Sequence, residues 1–310
     1  MLPWHRPLLL FAAAMAALSS IFLALVFVDG RTLDGLPLWI KPLKFTISFT
    51  LYAFTWAWLL SLRHRAGRVN WWAGTTLVVA GLGEVALIVF QAARGRHSHF
   101  NEATPLDRSI WIAMGVTIGL LMLANLVAAV FVIIERQADR VSTWTVRLGL
   151  VVSTFGIASG GLMVTSVPGQ TWAEDFAGAH SVGVPDGGPG LPVVGWSTVG
   201  GDLRVPHFVG MHALQLLPLF ALLLAALSAR FAALRREEVR LRLVFIAGLA
   251  YGGLFLLILW QALRGQPLIR PDAATLAVLG VLVVTALGAA AVALRPKREP
   301  EREPERETAP

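Results

Sequence analysis

Eight stretches of mainly apolar residues partition this chain: Leu8–Val28, Leu43–Leu62, Trp72–Phe90, Ile110–Ile134, Thr145–Val167, Phe208–Ala229, Leu241–Leu263 and Ala273–Leu294. Each is close to the ~20 residues that carry an α-helix across a bilayer core. The chain is 56 % hydrophobic and 15 % charged, with a mean hydropathy of +0.67. A soluble domain cannot hide that much apolar surface, so the expectation is an all-α polytopic membrane protein with eight transmembrane helices. Leu8–Val28 is too long for a signal-peptide core, and "FVDGR" makes a poor cleavage site, so it reads as a retained first span.

Charge sets the expected orientation. With the N-terminus inside, most of the 26 Lys and Arg fall on the inner side, in "RHRAGR", "ERQADR", "RREEVRLR" and the tail. That bias makes both termini cytoplasmic. The net charge of +7 is therefore a topology signal, and no nucleic-acid partner is expected. The tail, 295–310, is a charged proline repeat, expected to be disordered. The chain has no cysteine, which excludes disulfides, thiolate catalysis and thiolate metal sites.

A pentapeptide recurs. "QAARG" ends the third run at Gln91 and "QALRG" ends the seventh at Gln261, 170 positions on. "KPLKF" opens the second run and "RVPHF" the sixth, while "ATPLDRSI" precedes the fourth and "IRPDAATL" the eighth. The reading is two pseudo-repeated four-helix units, 1–140 and 141–294, the second carrying a Gly- and Pro-rich outer loop at 168–206. The repeated features share the outer side.

Candidate chemistry gathers there. Lys41, Lys44, Arg94, Arg96, Arg204 and Arg264 sit outside, against the topology rule. Gln91 with Arg94, and Gln261 with Arg264, form a polar signature suited to an anionic ligand, and Arg204 and Gln215 join this ligand-binding set. Five histidines are also outside. In an extended segment His97 and His99 point the same way and could supply two metal ligands. His207 and His212 lie five positions apart on one span, so His207 should face the loops and His212 the bundle. His97, His99, His207 and His212 are the metal candidates, with Asp202 among the available carboxylates.

Glu84 stands out because it interrupts "VVAGLGEVALIVFQ". A carboxylate at that depth costs about 2.5–3.5 kcal/mol on insertion scales unless it finds a partner, a proton or water. In a purely structural role it would be a protonated acid bonded to Asn125 or Gln215 on a neighbouring helix, and Gly81 and Gly83 should let another helix approach. Glu84, His212 and Asp202 are the candidate catalytic groups.

The segments "KPLKFTISF", "QAARGRHSHFN" and "GDLRVPHFVGMHALQ" resemble those of a family of bacterial multi-pass membrane proteins with no established activity. That resemblance implies the bacterial cytoplasmic membrane as location. In architecture alone, the layout is similar to haem A synthase and to copper-resistance membrane proteins, which implies haem or a divalent metal as cofactor. The second, fourth and eighth runs contain no histidine, a departure from a paired-histidine haem pattern. Four functions are compatible with these residues. The leading one is transport or binding of a small molecule, an ion or a proton; the others are a haem- or metal-linked oxidoreductase, a zinc-dependent lipid hydrolase and a non-catalytic assembly partner.

Overall fold

The computed structural model describes residues 4–62, 67–135, 137 and 139–295. The charged tail from 296 onwards, with Arg63, His64, Arg65 and Arg136 of two helix connections, lies outside the described residues.

Helices dominate because apolar side chains occupy nearly every position of each run. They are α1 (Arg6–Val28), α2 (Ile40–Ser61), α3 (Gly67–Ala93), α4 (Pro105–Ile134), α5 (Arg140–Ser159, continued by a 3-10 turn, Gly160–Val164), α6 (Arg204–Met211), α7 (Ala213–Leu227), α8 (Ala232–Arg235), α9 (Glu237–Leu263) and α10 (Ala273–Leu294). Among the described residues seven helices are long and apolar enough to cross a membrane, or eight if α6 and α7 count as one bent span. The protein is a predominantly helical, multi-pass membrane protein.

The sixth run was expected to form one uninterrupted span. Instead it bends by 41° at His212, between α6 and α7. A close helix crossing lies beside the bend. Gly156 of α5 and Gly210 of α6 meet backbone to backbone, and a Cβ on either would overlap the other helix. Tyr251 of α9 donates its hydroxyl to Val209 O at 2.6 Å, fixing α6 from the other side. Pro218, inside α7, removes one further backbone donor.

Within 1–140, α1 packs on α2 and α3, and α3 on α2 and α4. Within 141–294, α5 packs on α6, α7 and α9, and α9 on α10. The two groups meet where α4 touches α5 and α2 touches α7. Leu214 of α7 joins Leu59, Leu77 and Trp56 in the larger core.

A two-residue antiparallel pair, β1 (Thr32–Leu33) and β2 (Leu36–Pro37), links α1 to α2; the 168–206 segment is turn-rich, as expected, with a like pair, β3 (Ser181–Val182) and β4 (Gly201–Asp202). Gly201 lies so close to Ala262 O that only glycine fits there, which seats β4 on the end of α9. Backbone bonds tie the segment to the α3–α4 connection: Glu102 N donates to Asp175 O, and Ala177 N to Phe100 O, both at 2.8 Å. Lys44 of α2 donates to Val194 O at 3.0 Å. The segment thus forms a roof over one end of both helix groups.

Candidate functional site beneath the roof

Two corners flank the roof, and they are built alike. In the first, Gln91 donates to His97 O at 3.1 Å, Arg96 N to Gln91 O, and Gly95 N to Ala92 O. In the second, Gln261 donates to Pro267 O at 2.8 Å, Gln266 N to Gln261 O, and Gly265 N to Ala262 O. Gly95 and Gly265 both take a positive φ, 68° and 71°, which lets the chain reverse after the helix. Each arginine reaches the first turn of the next helix: Arg94 bonds Asp107 at 2.8 Å and Arg264 bonds Asp272. Each also lies over the ring one turn back, Arg94 on Phe90 and Arg264 on Trp260. The amide of Gln91 is committed as well, donating to Asp107 at 2.9 Å. Gln91, Arg94, Gln261 and Arg264 were expected to line a ligand rim; in the structure these groups hold the corners together.

Glu84 points elsewhere. It is 0 % exposed, and its Oε2 accepts from Thr117 Oγ1 of α4 at 2.9 Å. Its Oε1 has no hydrogen-bond partner among the described residues, and His99 Nε2 lies 3.4 Å from it. The expected partners are engaged otherwise: Asn125 accepts from the Tyr52 hydroxyl at 2.8 Å, and Gln215 contacts Thr55 and His212, each at 3.3 Å. The expected close approaches at the glycines are present, since a Cβ on Gly81 would lie 2.8 Å from the Phe11 ring and one on Gly83 3.2 Å from Thr117 Cγ2. Gly83 therefore makes room for the threonine that binds Glu84.

His99 is enclosed by Phe45, Phe100 and Trp111, with ring centroids 5.6, 6.0 and 6.1 Å away. Burial pushes its pKa well below the ordinary 6.5, and the positive fields of Lys41, His180 and His207 act in the same direction. Lys41 is half-buried and has no hydrogen-bond or ion-pair partner among the described residues. Its charge couples to Glu84, Lys44, Arg204 and Asp34.

The remaining expected groups divide. His97 faces Asp34 at 3.5 Å and stacks edge-on against Phe176, so the His97 and His99 pair does not act on one partner. His207 uses Nδ1 on Gly156 O at 2.8 Å, at the helix crossing, and His212 sits at the bend. Asp202 is saturated by Arg204 and by the Ser197 N–H, and Arg204 also donates to Gly195 O. His180 and Asp186, 2.8 Å apart in the roof, were not foreseen; burial and the Arg204 charge lower the pKa of His180. Among the described residues no three His, Asp or Glu side chains converge on a point where a metal ion could be held. The four-histidine metal set expected from the sequence is thus dispersed over three neighbourhoods.

Lys41 and Thr117 were missed as members of the site. The misplaced charge of Lys41 was a usable signal; Thr117, one of many hydroxyls in apolar helices, offered none. No family model, curated protein or solved structure matches the chain. The segment resemblance noted above rests on those segments alone.

Proposed function

We propose that this protein binds and passes a proton with a small ligand, as a transport or ligand-binding protein of the bacterial cytoplasmic membrane. In this reading both termini are cytoplasmic, the roof faces outward, and the two four-helix groups are a duplicated unit. The observation that carries it is Glu84: a fully buried carboxyl with one uncommitted oxygen, a histidine 3.4 Å away and a lysine in electrostatic range. Ionisable groups inside a membrane bundle mark ion and proton pathways. The break at His212 adds support, because interrupted helices line the sites of transporters. The matching corner bonds support the duplication.

Infrared difference spectra of the protein in nanodiscs, recorded between acidic and alkaline pH, test this reading. A carboxylic C=O band that disappears on raising the pH, and is absent in Glu84→Gln, is expected. An identical pair of spectra would remove Glu84 as a proton carrier. Among the described residues the zinc-hydrolase reading lacks a converging set of three ligands. The assembly reading has one observation in its favour: α10 packs on α9, and only its Thr275 and Ala293 are buried.

A further inference from the structure

We propose that His99 is the proton gate of Glu84: its imidazole carries protons between the roof side and the buried carboxyl. This rests on the reading of Glu84 as a proton carrier and names the route by which the proton comes and goes.

The two oxygens of Glu84 have different neighbours. Oε2 accepts from Thr117, whose hydroxyl also reaches Met114 O, each at 2.9 Å. Oε1 has no hydrogen-bond partner among the described residues, and the basic nitrogen beside it is His99 Nε2, at 3.4 Å. On the ring's other edge Nδ1 lies 3.1 Å from Ser98 Oγ. The Glu84 side chain is 0 % exposed and that of His99 19 %, so one residue touches both the buried acid and the surface. The corner holds it there: His97 O accepts from Gln91 and from Asn101, each at 3.1 Å, which clasps the turn carrying Ser98 and His99. Away from the roof the surroundings are apolar. The next residues on the buried faces are Ala80 and Leu77 of α3 and Leu121 and Ala124 of α4, all within the larger core. Beyond them, Asn125 is committed to the Tyr52 hydroxyl at 2.8 Å.

A neutral imidazole can relay a proton because its two nitrogens exchange donor and acceptor roles. With the ring proton on Nε2, Nδ1 accepts from the Ser98 hydroxyl. A proton arriving at Nδ1 from the roof side makes the imidazolium. The Nε2 proton then passes to Glu84 Oε1, leaving a neutral ring with its proton on Nδ1. Ser98 now accepts where it had donated, since a hydroxyl does both. Thr117 adapts in the same way: it donates to Oε2 of the carboxylate and turns to Met114 O once the acid is protonated. The reverse path returns the proton, and no bond between heavy atoms changes. Transfer requires Nε2 to close on Oε1 by about 0.5 Å, to ordinary hydrogen-bond distance. The Phe45, Phe100 and Trp111 rings wall the imidazole, which leaves its two nitrogens as the polar path.

The test is hydrogen–deuterium exchange of the Glu84 carboxyl in the full chain in nanodiscs. Protein at acidic pH is mixed with deuterated buffer, and the downshift of the Glu84 C=O band is timed by rapid-mixing infrared spectroscopy. His99→Phe, which keeps a ring in place, should retain the band and slow its exchange about a hundredfold, the low end of what a positioned acid–base group contributes. His99→Ala should be equally slow, and added imidazole should restore the rate. His99→Gln is the further variant, with the same slowing expected, should these two not fold. Exchange as fast in the variants as in the parent overturns the inference, because the proton then has another route. So does slow exchange in His99→Ala that imidazole leaves unchanged, which would make His99 a packing residue. A parent without the Glu84 band sinks the proton reading and the gate with it, whereas a band whose exchange ignores His99 sinks the gate alone.

Discussion

The two corners share their hydrogen bonds and differ in what lies beneath them. Below Gln91, seven positions back, is Glu84; below Gln261, at the same spacing, is Leu254. Where His99 turns inward after the first corner, Ile269 points outward after the second and is exposed. Even the helix contact below is matched in place and changed in kind: Gly83 faces Thr117, whereas Gly253 faces Leu282. The shared parts are the corner's frame. The acid, imidazole and hydroxyl belong to one side only, as expected if a duplicated scaffold keeps chemistry in a single copy.

The sharpest way to break this comparison is to remove each corner's acid. Asp107 is 0 % exposed and holds Arg94, Gln91 and Thr104 at once. Asp107→Ala leaves a partly buried guanidinium unpaired and should cost about 3–5 kcal/mol. Asp272 and its arginine are 37 % and 38 % exposed, so Asp272→Ala loses chiefly a helix cap, about 1 kcal/mol. Unfolding titrations in detergent micelles compare the two; equal losses would mean that burial does not distinguish the corners.

The converse experiment moves the acid. Leu254→Glu places a carboxylate next to Gly253, whose facing side chain is the apolar Leu282, and should cost about 2.5–3.5 kcal/mol. Glu84→Leu should cost nothing or stabilise the fold, since an unpartnered oxygen disappears with it. If Leu254→Glu were tolerated as well as the natural Glu84, the site would owe nothing to Thr117 and His99.

How far this was legible in the sequence depends on range. The apolar runs, the corners and the buried acid at Glu84 are local patterns, visible along the chain. The break at His212 is not, and neither is the crossing beside it, where Gly156 meets Gly210, two glycines brought together only by packing. The choice of Thr117 and His99 over Asn125 and Gln215 as neighbours of Glu84 depends on helix rotation, which apolar runs do not specify. The dispersal of the histidines has the same origin: alternate spacing fixes relative direction only in a regular strand, and residues 94–104 turn instead.

Proton linkage offers a gentler probe. His99 is held neutral in the fold, with its pKa depressed well below 6.5, while in the unfolded chain it binds a proton near 6.5. Below that pH the unfolded state binds more protons, so stability falls as the pH drops from 6.5, by at most about 1.4 kcal/mol per unit for one group. His99→Gln should flatten the dependence of the melting midpoint on pH by that one proton. Ile269→Gln, at the other corner, should leave it unchanged. A profile unaffected by His99→Gln would mean that the imidazole is charged inside the fold.

The smallest expected difference lies between the two glycines. A methyl on Gly253 would meet Leu282 Cδ1 at 2.8 Å, the far end of a flexible side chain on a helix that packs chiefly on α9 and buries little of itself, so the leucine can turn away. A methyl on Gly83 would meet Thr117 Cγ2 at 3.2 Å, and this side chain cannot swing freely. It is β-branched, and its hydroxyl is engaged with Met114 O and with Glu84 Oε2, each at 2.9 Å. Both Gly→Ala changes gain helix propensity, about 1 kcal/mol, so both variants should be as stable as the parent or slightly more so. Only Gly83→Ala should push Thr117 back by a few tenths of an ångström and weaken its bond to the acid. The expected signature is a shift of the Glu84 carboxylic band in Gly83→Ala and none in Gly253→Ala, at nearly equal melting temperatures. A band unmoved in both would mean that Thr117 does not tune the carboxyl, leaving His99 and Lys41 as the groups that set when Glu84 holds its proton.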